Sequence, residues 1–293
     1  MREQPVIWAA LCAYRRLCLS LPHSAAVSLG RALGRTVCRL SGARAGRARS
    51  RCAKVLGVSG LEAAKIVSDA YGHFGMALTE FFRLPKEYRR IDEIVTVTGE
   101  ENIVSALDRG RGVILLSAHI GCWEYGAAAV ANLGFPMNAI GAEQRDWRMT
   151  DAIAKIRISC GVKTLGKGLD LRAAVGCLRK NEILAILLDQ DARESGIVSP
   201  FLGFPASTPA GPIKLAKKLG CAVVPVCVTR NADGVGMSMR IYPALAGPDG
   251  SPFGDDPQYA ADRCNDIISG WIRETPGQWM WMYPRWATTV GDL

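Results

Sequence analysis

Residues 113–128 read VILLSAHIGCWEYGAA. The apolar run at 113–116 predicts a short strand that is buried on both faces, because a half-exposed strand would alternate apolar and polar positions. His119 follows this strand, and Gly121 allows a tight turn before the helical pattern of residues 122–133. Strand, turn and helix in this order are typical of an α/β sheet.

Strand-like and helix-like runs alternate from about residue 94 onwards, whereas the first 90 residues show helical periodicity alone. This pattern predicts an α/β fold in which a mostly parallel central sheet is layered with helices and is preceded by a helical N-terminal segment. We place a helical, basic segment at 1–90, packed on an α/β core at 91–293. The predicted strands are 94–98, 112–117, 137–140, 183–188, 222–228 and 237–241, and the predicted helices are 5–19, 23–40, 43–57, 60–83, 101–108, 122–133, 148–160, 169–179, 209–219 and 259–274.

The positive charge of the chain is concentrated near its N-terminus. The net charge is +9, and ten Lys and Arg residues but no Asp or Glu lie between residues 4 and 61. Arg31, Arg35 and Arg39 recur every four residues and therefore share one helical face. This face predicts binding to an anionic membrane surface, with a solvated face packed on the core as the alternative. Nucleic acid is not an expected partner, because residues 15–61 contain no aromatic side chain on which a base could stack.

The cysteines and the hydropathy pattern exclude two other classes of protein. The ten cysteines contain no CxxC pair or Cys/His cluster, so we expect reduced thiols and no zinc ribbon. No run of about 18 apolar residues is present, so the sequence predicts no helix that crosses a membrane.

His119 and Glu124 are the first candidates for chemistry. His119 lies at the carboxyl end of a predicted strand, where ligands collect in open α/β sheets. Glu124 lies in the first turn of the next helix, close enough to fold back toward the histidine. A carboxylate bonded to one imidazole nitrogen leaves the other nitrogen as a base that can deprotonate a hydroxyl without a metal or a covalent intermediate. Taken alone, this spacing is more often a structural histidine beside a capping glutamate.

The surrounding sequence favours the chemical interpretation. Residues 109–126, RGRGVILLSAHIGCWEYG, resemble the H-x4-D/E box of the glycerolipid-type acyltransferases. The resemblance is closest to the bacterial lipid A biosynthesis (lauroyl/myristoyl) acyltransferase family, which includes phosphatidylinositol mannoside acyltransferases. Residues 182–230 resemble the central blocks of that family, and PGQWMWMYPRW at 276–286 resembles its C-terminal signature. Order and spacing agree from about residue 40 to 287.

The resemblance implies a reaction and the residues that carry it. His119 would be the general base and Glu124 its orienting partner. A hydroxyl of a lipid A precursor or related glycolipid would attack the thioester of an acyl carrier protein or of acyl-CoA, without a cofactor. Arg157 and Arg285 match positions where substrate phosphate contacts are expected.

Two further motifs belong to the same resemblance. Asp189, Gln190 and Asp191 match an acidic turn after a strand, which would organise the substrate site by hydrogen bonds rather than bind a metal. The aromatic cluster Trp279, Trp281, Tyr283 and Trp286 fits a membrane-interface edge or a contact with the acyl chain, and it fits core packing equally well.

The resemblance also implies a location and leaves alternatives open. We expect a peripheral or monotopic protein on the cytoplasmic face of the inner membrane. Residues 141–147, GAEQRDW, depart from the Arg and Asn-Pro that family members usually carry there, so the acceptor head group stays open. The alternatives are a lysophospholipid (glycerolipid) or phosphatidylinositol mannoside acyltransferase, and a non-catalytic scaffold on the membrane surface.

Overall fold

The computed structural model describes residues 3–166 and 171–291. The helices are α1 (Pro5–Ser20), α2 (His23–Leu40), α3 (Gly42–Leu56), α4 (Gly60–Glu87), α5 (Ile91–Ile94), α6 (Glu100–Leu107), α7 (Trp123–Asn132), α8 (Trp147–Ile158), α9 (Leu171–Arg179), α10 (Gly211–Leu219) and α11 (Pro257–Glu274). The strands are β1 (Val95–Thr98), β2 (Val113–Ser117), β3 (Met137–Ile140), β4 (Val162–Leu165), β5 (Ile183–Leu187), β6 (Ile197–Phe201), β7 (Phe204–Thr208), β8 (Ala222–Arg230) and β9 (Met237–Ile241).

Seven strands form one sheet in the order β1-β9-β8-β2-β5-β3-β4. Every neighbouring pair is parallel except β8 and β9, which confirms the predicted mostly parallel α/β sheet. β2 lies near the centre between β8 and β5, and Val113 to Leu116 are at most 3% exposed. The continuous apolar run of this strand thus reflects burial on both faces, as the sequence predicts.

Alternate residues of β2 contribute to two separate core layers. Ile114 and Leu116 pack with α9, α10 and α11, whereas Val113 and Leu115 pack with α4, α7 and α8. Because one face of the sheet must bury against each layer of helices, the three-layer arrangement follows from this alternation.

The hairpin of β6 and β7 was not predicted. The predicted strands and helices leave residues 197–208 unassigned, yet Ile197–Phe201 and Phe204–Thr208 pair as antiparallel strands outside the main sheet. Leu202 and Gly203 form its two-residue turn and have φ values of 52° and 90°. A non-glycine residue with positive φ gives no strong turn signal in the sequence, which explains the miss.

The N-terminal helices pack tightly onto the rest of the molecule. α2 and α4 approach at glycines, since a Cβ on Gly75 would lie 2.1 Å from the carbonyl oxygen of Gly30. α4 continues four residues beyond its predicted end, through Pro85. Leu84 of α4 shares a core cluster with Val95 of β1. The division of the chain at residue 90 therefore stays a prediction, because residues on both sides contribute to one core.

Other expectations concern the thiols and the membrane. All ten cysteines are free thiols, and nine of them are buried. The helices in the ranges given above include none that is both long and apolar enough to cross a membrane. The helix predicted at 169–179 corresponds to α9, and Leu169 lies outside the described residues.

Candidate active site

His119 lies at the carboxyl edge of the sheet, two residues after β2 ends at Ser117. The chain turns at Gly121, whose φ is 57°. A Cβ atom there would lie 2.2 Å from the carbonyl oxygen of Val228, so the turn passes directly against β8 and requires glycine. The predicted position of His119 at the end of a strand is confirmed.

Asp189 lies beside His119, two residues after the end of β5. Because β2 and β5 are parallel neighbours with Ser117 opposite Leu187, residues at equal distances beyond the two strands emerge side by side. Asp189 Oδ1 is 2.8 Å from His119 Nδ1, and Oδ2 accepts a hydrogen bond of 2.9 Å from the backbone N–H of His119. We call these two residues the His119–Asp189 pair.

The surroundings keep Asp189 ionised. The residue is 2% exposed, and this burial alone would raise its pKa. The charge of His119 and the hydrogen bonds from His119 and from Trp279 Nε1, which donates at 2.8 Å, outweigh burial and hold the pKa of Asp189 below its ordinary value. A charged carboxylate on Nδ1 selects the tautomer that carries its proton there, which leaves Nε2 as the basic nitrogen.

Glu124 holds a different partner from the one predicted. It lies in the first turn of α7, and its two carboxylate oxygens accept hydrogen bonds from Nε and Nη2 of Arg157 on α8, at 2.9 and 2.6 Å. Burial would lower the pKa of Arg157, but the charge and hydrogen bonds of Glu124 raise it above its ordinary value. The third guanidinium nitrogen, Nη1, is buried and has no hydrogen-bond partner among the residues that the structure describes.

The hydrogen bond predicted between Glu124 and His119 is replaced in the structure by the ion pair of Glu124 with Arg157. Asp189 makes the contact with His119 instead. A guanidinium offers a carboxylate two parallel hydrogen bonds, a stronger match than one imidazole N–H, and this explains why Glu124 pairs with Arg157. The distance between α7 and α8 cannot be derived from sequence patterns, so the arginine could not be assigned as the partner.

A cavity of about 1260 Å³ opens beside His119, Glu124 and Arg157. Its floor includes Ala185 and Leu187 of β5, which stay half-buried although β5 has a hydrogen-bonded strand on each side. Its walls include Phe74, Phe81 and Phe82 of α4, Val130 of α7, and Ile153 and Ile156 of α8. This lining suits a long hydrocarbon chain.

The first helix closes one side of the cavity. Trp8, Arg15 and Arg16 of α1 line it. The start of α1 is held at α8, because the backbone N–H of Gln4 donates to Oδ2 of Asp146 at 2.8 Å. The cavity thus combines an apolar interior with cationic groups at its rim, as an acyl chain with an anionic head group requires.

Comparisons with known proteins identify the family of the chain. The family model described as bacterial lipid A biosynthesis acyltransferase matches residues 2–288. The chain belongs to this acyltransferase family. It is 29% identical over 219 residues to the phosphatidylinositol mannoside acyltransferase of Mycolicibacterium smegmatis, covering 73% of this chain and 69% of that protein. It is 28% identical over 237 residues to the lipid A biosynthesis palmitoleoyltransferase of Escherichia coli, covering 79% and 74%. It is also 29% identical over 208 residues to the lipid A biosynthesis lauroyltransferase of Escherichia coli, covering 68% and 64%.

The other two residues of the acidic turn, Gln190 and Asp191, line the cavity of this acyltransferase. Asp191 Oδ2 also accepts a hydrogen bond of 2.7 Å from the hydroxyl of Thr288. In the ranges 3–166 and 171–291, no group of three or more His, Cys, Asp or Glu side chains is arranged to hold a metal ion.

Arg285 and the C-terminal tryptophans belong to the core. Arg285 is 0% exposed, and its Nη2 donates to the hydroxyl of Thr208 in the β6–β7 hairpin at 2.9 Å. Its guanidinium also lies 4.7 Å from the ring centroid of Phe201. These contacts stabilise the hairpin and lend no support to the predicted substrate contact. Trp279, Trp281 and Trp286 are at most 1% exposed. These three residues therefore pack in the core and do not form a membrane-interface edge.

The three arginines predicted to share a membrane-facing surface do not do so. Arg31 Nε donates to the sulfur of Met76 at 3.2 Å, and Arg35 Nη2 is 2.6 Å from Asp69 Oδ1, so both are half-buried against α4. Arg39 is exposed. The exposed apolar residues of α2 are Leu33, Val37 and Leu40, which are 42%, 52% and 81% exposed. Periodicity placed the arginines on one face but could not say that α4 covers most of it.

Proposed function

We propose that the protein transfers a fatty acyl chain from a thioester donor to a hydroxyl of a glycolipid, with His119 as the general base. The observation that carries this proposal is the 2.8 Å contact between His119 Nδ1 and Asp189 beside an apolar cavity. The names of the relatives indicate a lipid A precursor or a phosphatidylinositol mannoside as the class of acceptor. The donor is an acyl carrier protein or acyl-CoA.

The reaction needs one proton to move twice. His119 Nε2 takes the proton of the acceptor hydroxyl as the oxygen attacks the thioester carbonyl carbon, and the carbon–sulfur bond then breaks. The imidazolium returns the proton to the leaving thiolate, so the base is regenerated. Asp189 stabilises the imidazolium while the proton is held there, because its carboxylate stays ionised.

Arg157 is the group that we assign to substrate binding. Glu124 holds two of its nitrogens, while Nη1 remains as a buried donor beside the cavity. A buried donor without a partner is unfavourable, and a phosphate or carbonyl oxygen of the bound substrate would satisfy it. Glu124 then acts through Arg157 rather than through His119.

We also propose peripheral association with the cytoplasmic face of the inner membrane. The outer side of α2 exposes Leu33, Val37 and Leu40, and Arg39 and Arg44 are exposed close to them in the chain. Apolar side chains next to basic ones suit insertion into an anionic lipid surface. This surface replaces the arginine face that the sequence predicts.

The test of function is transfer by the purified full-length protein from acyl carrier protein or acyl-CoA. We expect His119→Gln to lower the transfer rate by about 10² or more, because general base catalysis contributes that much. His73→Gln is the matched control, since His73 is half-buried in α4 and lies outside the cavity lining. Mass spectrometry of lipid extracts with and without the gene identifies the acceptor. Full activity of a folded His119→Gln protein would exclude the proposed mechanism.

A further inference from the structure

The structure shows three hydrogen bonds on the carboxylate of Asp189, and one of them comes from the C-terminal segment. Two come from His119, and the third comes from the indole N–H of Trp279, at 2.8 Å from Oδ2. Trp279 is 1% exposed. The indole therefore bonds to the side of the carboxylate that the ring of His119 leaves open.

The backbone of the same segment holds the turn that carries His119. Ile120, the residue after the histidine, forms an antiparallel bridge with Trp279. The backbone N–H of Gly121 donates to the carbonyl oxygen of Gln278 at 3.2 Å. The side chain of Gln278 in turn bonds to both backbone groups of Arg230, at 2.8 and 3.0 Å. The segment is thus fixed to the end of β8 and to the turn after β2.

The ring of Trp279 has little freedom to rotate away. It packs edge-on against Trp281 with centroids 4.7 Å apart, and its centroid lies 5.7 Å from that of Phe201. The carbonyl oxygen of Trp281 accepts a hydrogen bond of 2.5 Å from the buried guanidinium of Arg51 on α3. These contacts preorganise the indole N–H toward Asp189 before any substrate binds.

We propose that Trp279 is a positioning residue for acyl transfer, which sets the orientation and the proton affinity of the His119–Asp189 pair. This inference rests on the proposed role of His119 as the base. An N–H directed at the carboxylate offsets part of its negative charge, and thereby lowers the attraction between Asp189 and a protonated His119. Loss of the indole N–H should then raise the pH at which the pair takes up a proton.

The test is Trp279→Phe, measured as the pH dependence of kcat/KM for acyl transfer by the full-length protein. We expect kcat to fall about tenfold or more with little change in KM, because the base is less well held in the transition state. We expect the acid limb of the profile to move to higher pH by roughly half a unit to one unit.

Trp281→Phe is the matched control. Trp281 is 0% exposed in the same aromatic cluster, but its indole donates to the backbone oxygen of Pro276 at 2.8 Å. A purely structural effect of removing a buried indole N–H would appear in both variants. An unshifted acid limb in Trp279→Phe, or equal shifts in both variants, would overturn the proposal. If His119→Gln loses activity while Trp279→Phe behaves like the wild type, the role of His119 as the base stands and only the proposed role of Trp279 is refuted.

A measurement on the unaltered protein covers the case in which Trp279→Phe does not fold. NMR of the ¹⁵N-labelled protein should show one indole N–H whose chemical shift follows the titration of His119, because both groups bond to one carboxylate. That titration should be lost from the indole signal in His119→Gln. Tryptophan signals that are all insensitive to the histidine titration would contradict the proposal.

Discussion

Two carboxylates flank the candidate base and hold different partners: Asp189 bonds to the ring of His119, and Glu124 bonds to Arg157. A carboxylate bonded to an imidazole raises the proton affinity of the ring. The negative charge of a carboxylate that is paired with a guanidinium is largely offset by that partner, so its effect on the ring is small. The two acidic residues should therefore affect activity in distinguishable ways.

We expect Asp189→Asn to lower kcat/KM by about 10² or more and to move the acid limb of its pH profile to lower pH, since the imidazolium loses its counter-charge. Glu124→Gln should also lower activity, mainly through KM, because Arg157 loses its charged partner. Its acid limb should stay where it is in the wild type. Measurement of kcat/KM from about pH 5 to 8 shows which acid limb moves. An acid limb that moves in Glu124→Gln alone would restore Glu124 as the orienting partner of His119.

The sequence supplied His119 as a candidate but not its partner. Asp189 lies two residues beyond β5, as His119 does beyond β2, but the predicted strand at 183–188 ends one residue later than β5, so the sequence alone does not show this equal offset. Its use requires knowing that β5 is the neighbour of β2, although β3 and β4 come between them in the chain. Local patterns do not determine strand order, so the nearer carboxylate along the chain, Glu124, was chosen.

At the scale of elements, β5 shapes the cavity. Ala185 is half-buried in a strand between β2 and β3 and lines the cavity floor. It lies four residues before Asp189, which corresponds to about 13 Å along a strand with a rise of about 3.3 Å per residue. With carbon–carbon bonds of about 1.5 Å in an extended zigzag, roughly ten chain carbons span that distance.

We expect Ala185→Leu to shorten the acyl chains that the protein transfers. The larger side chain fills the floor of the cavity, so donors longer than about ten carbons should lose activity while shorter donors keep most of it. Competition between thioesters of different length, read by mass spectrometry of the product, measures the preference. Ala43→Leu, at an exposed position of α3, is the control. Unchanged selectivity in Ala185→Leu would place the acyl chain elsewhere.

A buried ion pair joins α4 to β8. Arg230 Nη1 donates to Glu80 at 2.6 Å, and their side chains are 1% and 0% exposed. We expect Glu80→Ala to cost about 3–5 kcal/mol in the free energy of unfolding, because it leaves a buried guanidinium unpaired. The double variant Glu80→Met with Arg230→Met should be more stable than Glu80→Ala. Urea unfolding checks both, and equal losses would indicate that the unpaired charge is not the cause.

The elements themselves were predictable where local signals are strong. The apolar run of β2 correctly predicted a buried strand, and the turn at Gly121 correctly predicted that His119 lies at the carboxyl end of that strand. The β6–β7 hairpin was missed since its turn contains Leu202 in an unusual backbone conformation. The burial of Trp279 could not be predicted, because an aromatic cluster is equally common at a membrane interface and in a core.

At the scale of the whole molecule, the distribution of exposed groups determines how the protein meets a lipid surface. Arg31 and Arg35 bond to side chains of α4, so neutralising them should affect the packing of α2 on α4 more than it affects membrane binding. The exposed positions of α2 and the start of α3 are apolar at Leu33, Val37 and Leu40, and basic at Arg39 and Arg44.

We therefore expect that the combined change Leu33→Ser, Val37→Ser and Leu40→Ser weakens binding of the folded protein to anionic vesicles at every salt concentration, because apolar insertion is not screened. Neutralising Arg39 and Arg44 should weaken binding chiefly at low salt, since charge attraction falls off within a Debye length. Co-sedimentation with phosphatidylglycerol vesicles measures both effects. Val104→Ser on α6, at a residue that is 43% exposed, is the control for loss of exposed apolar surface. Undiminished co-sedimentation of the triple variant would assign the membrane contact to another face, and the 80% exposed Val6 of α1 would then be the first position to change.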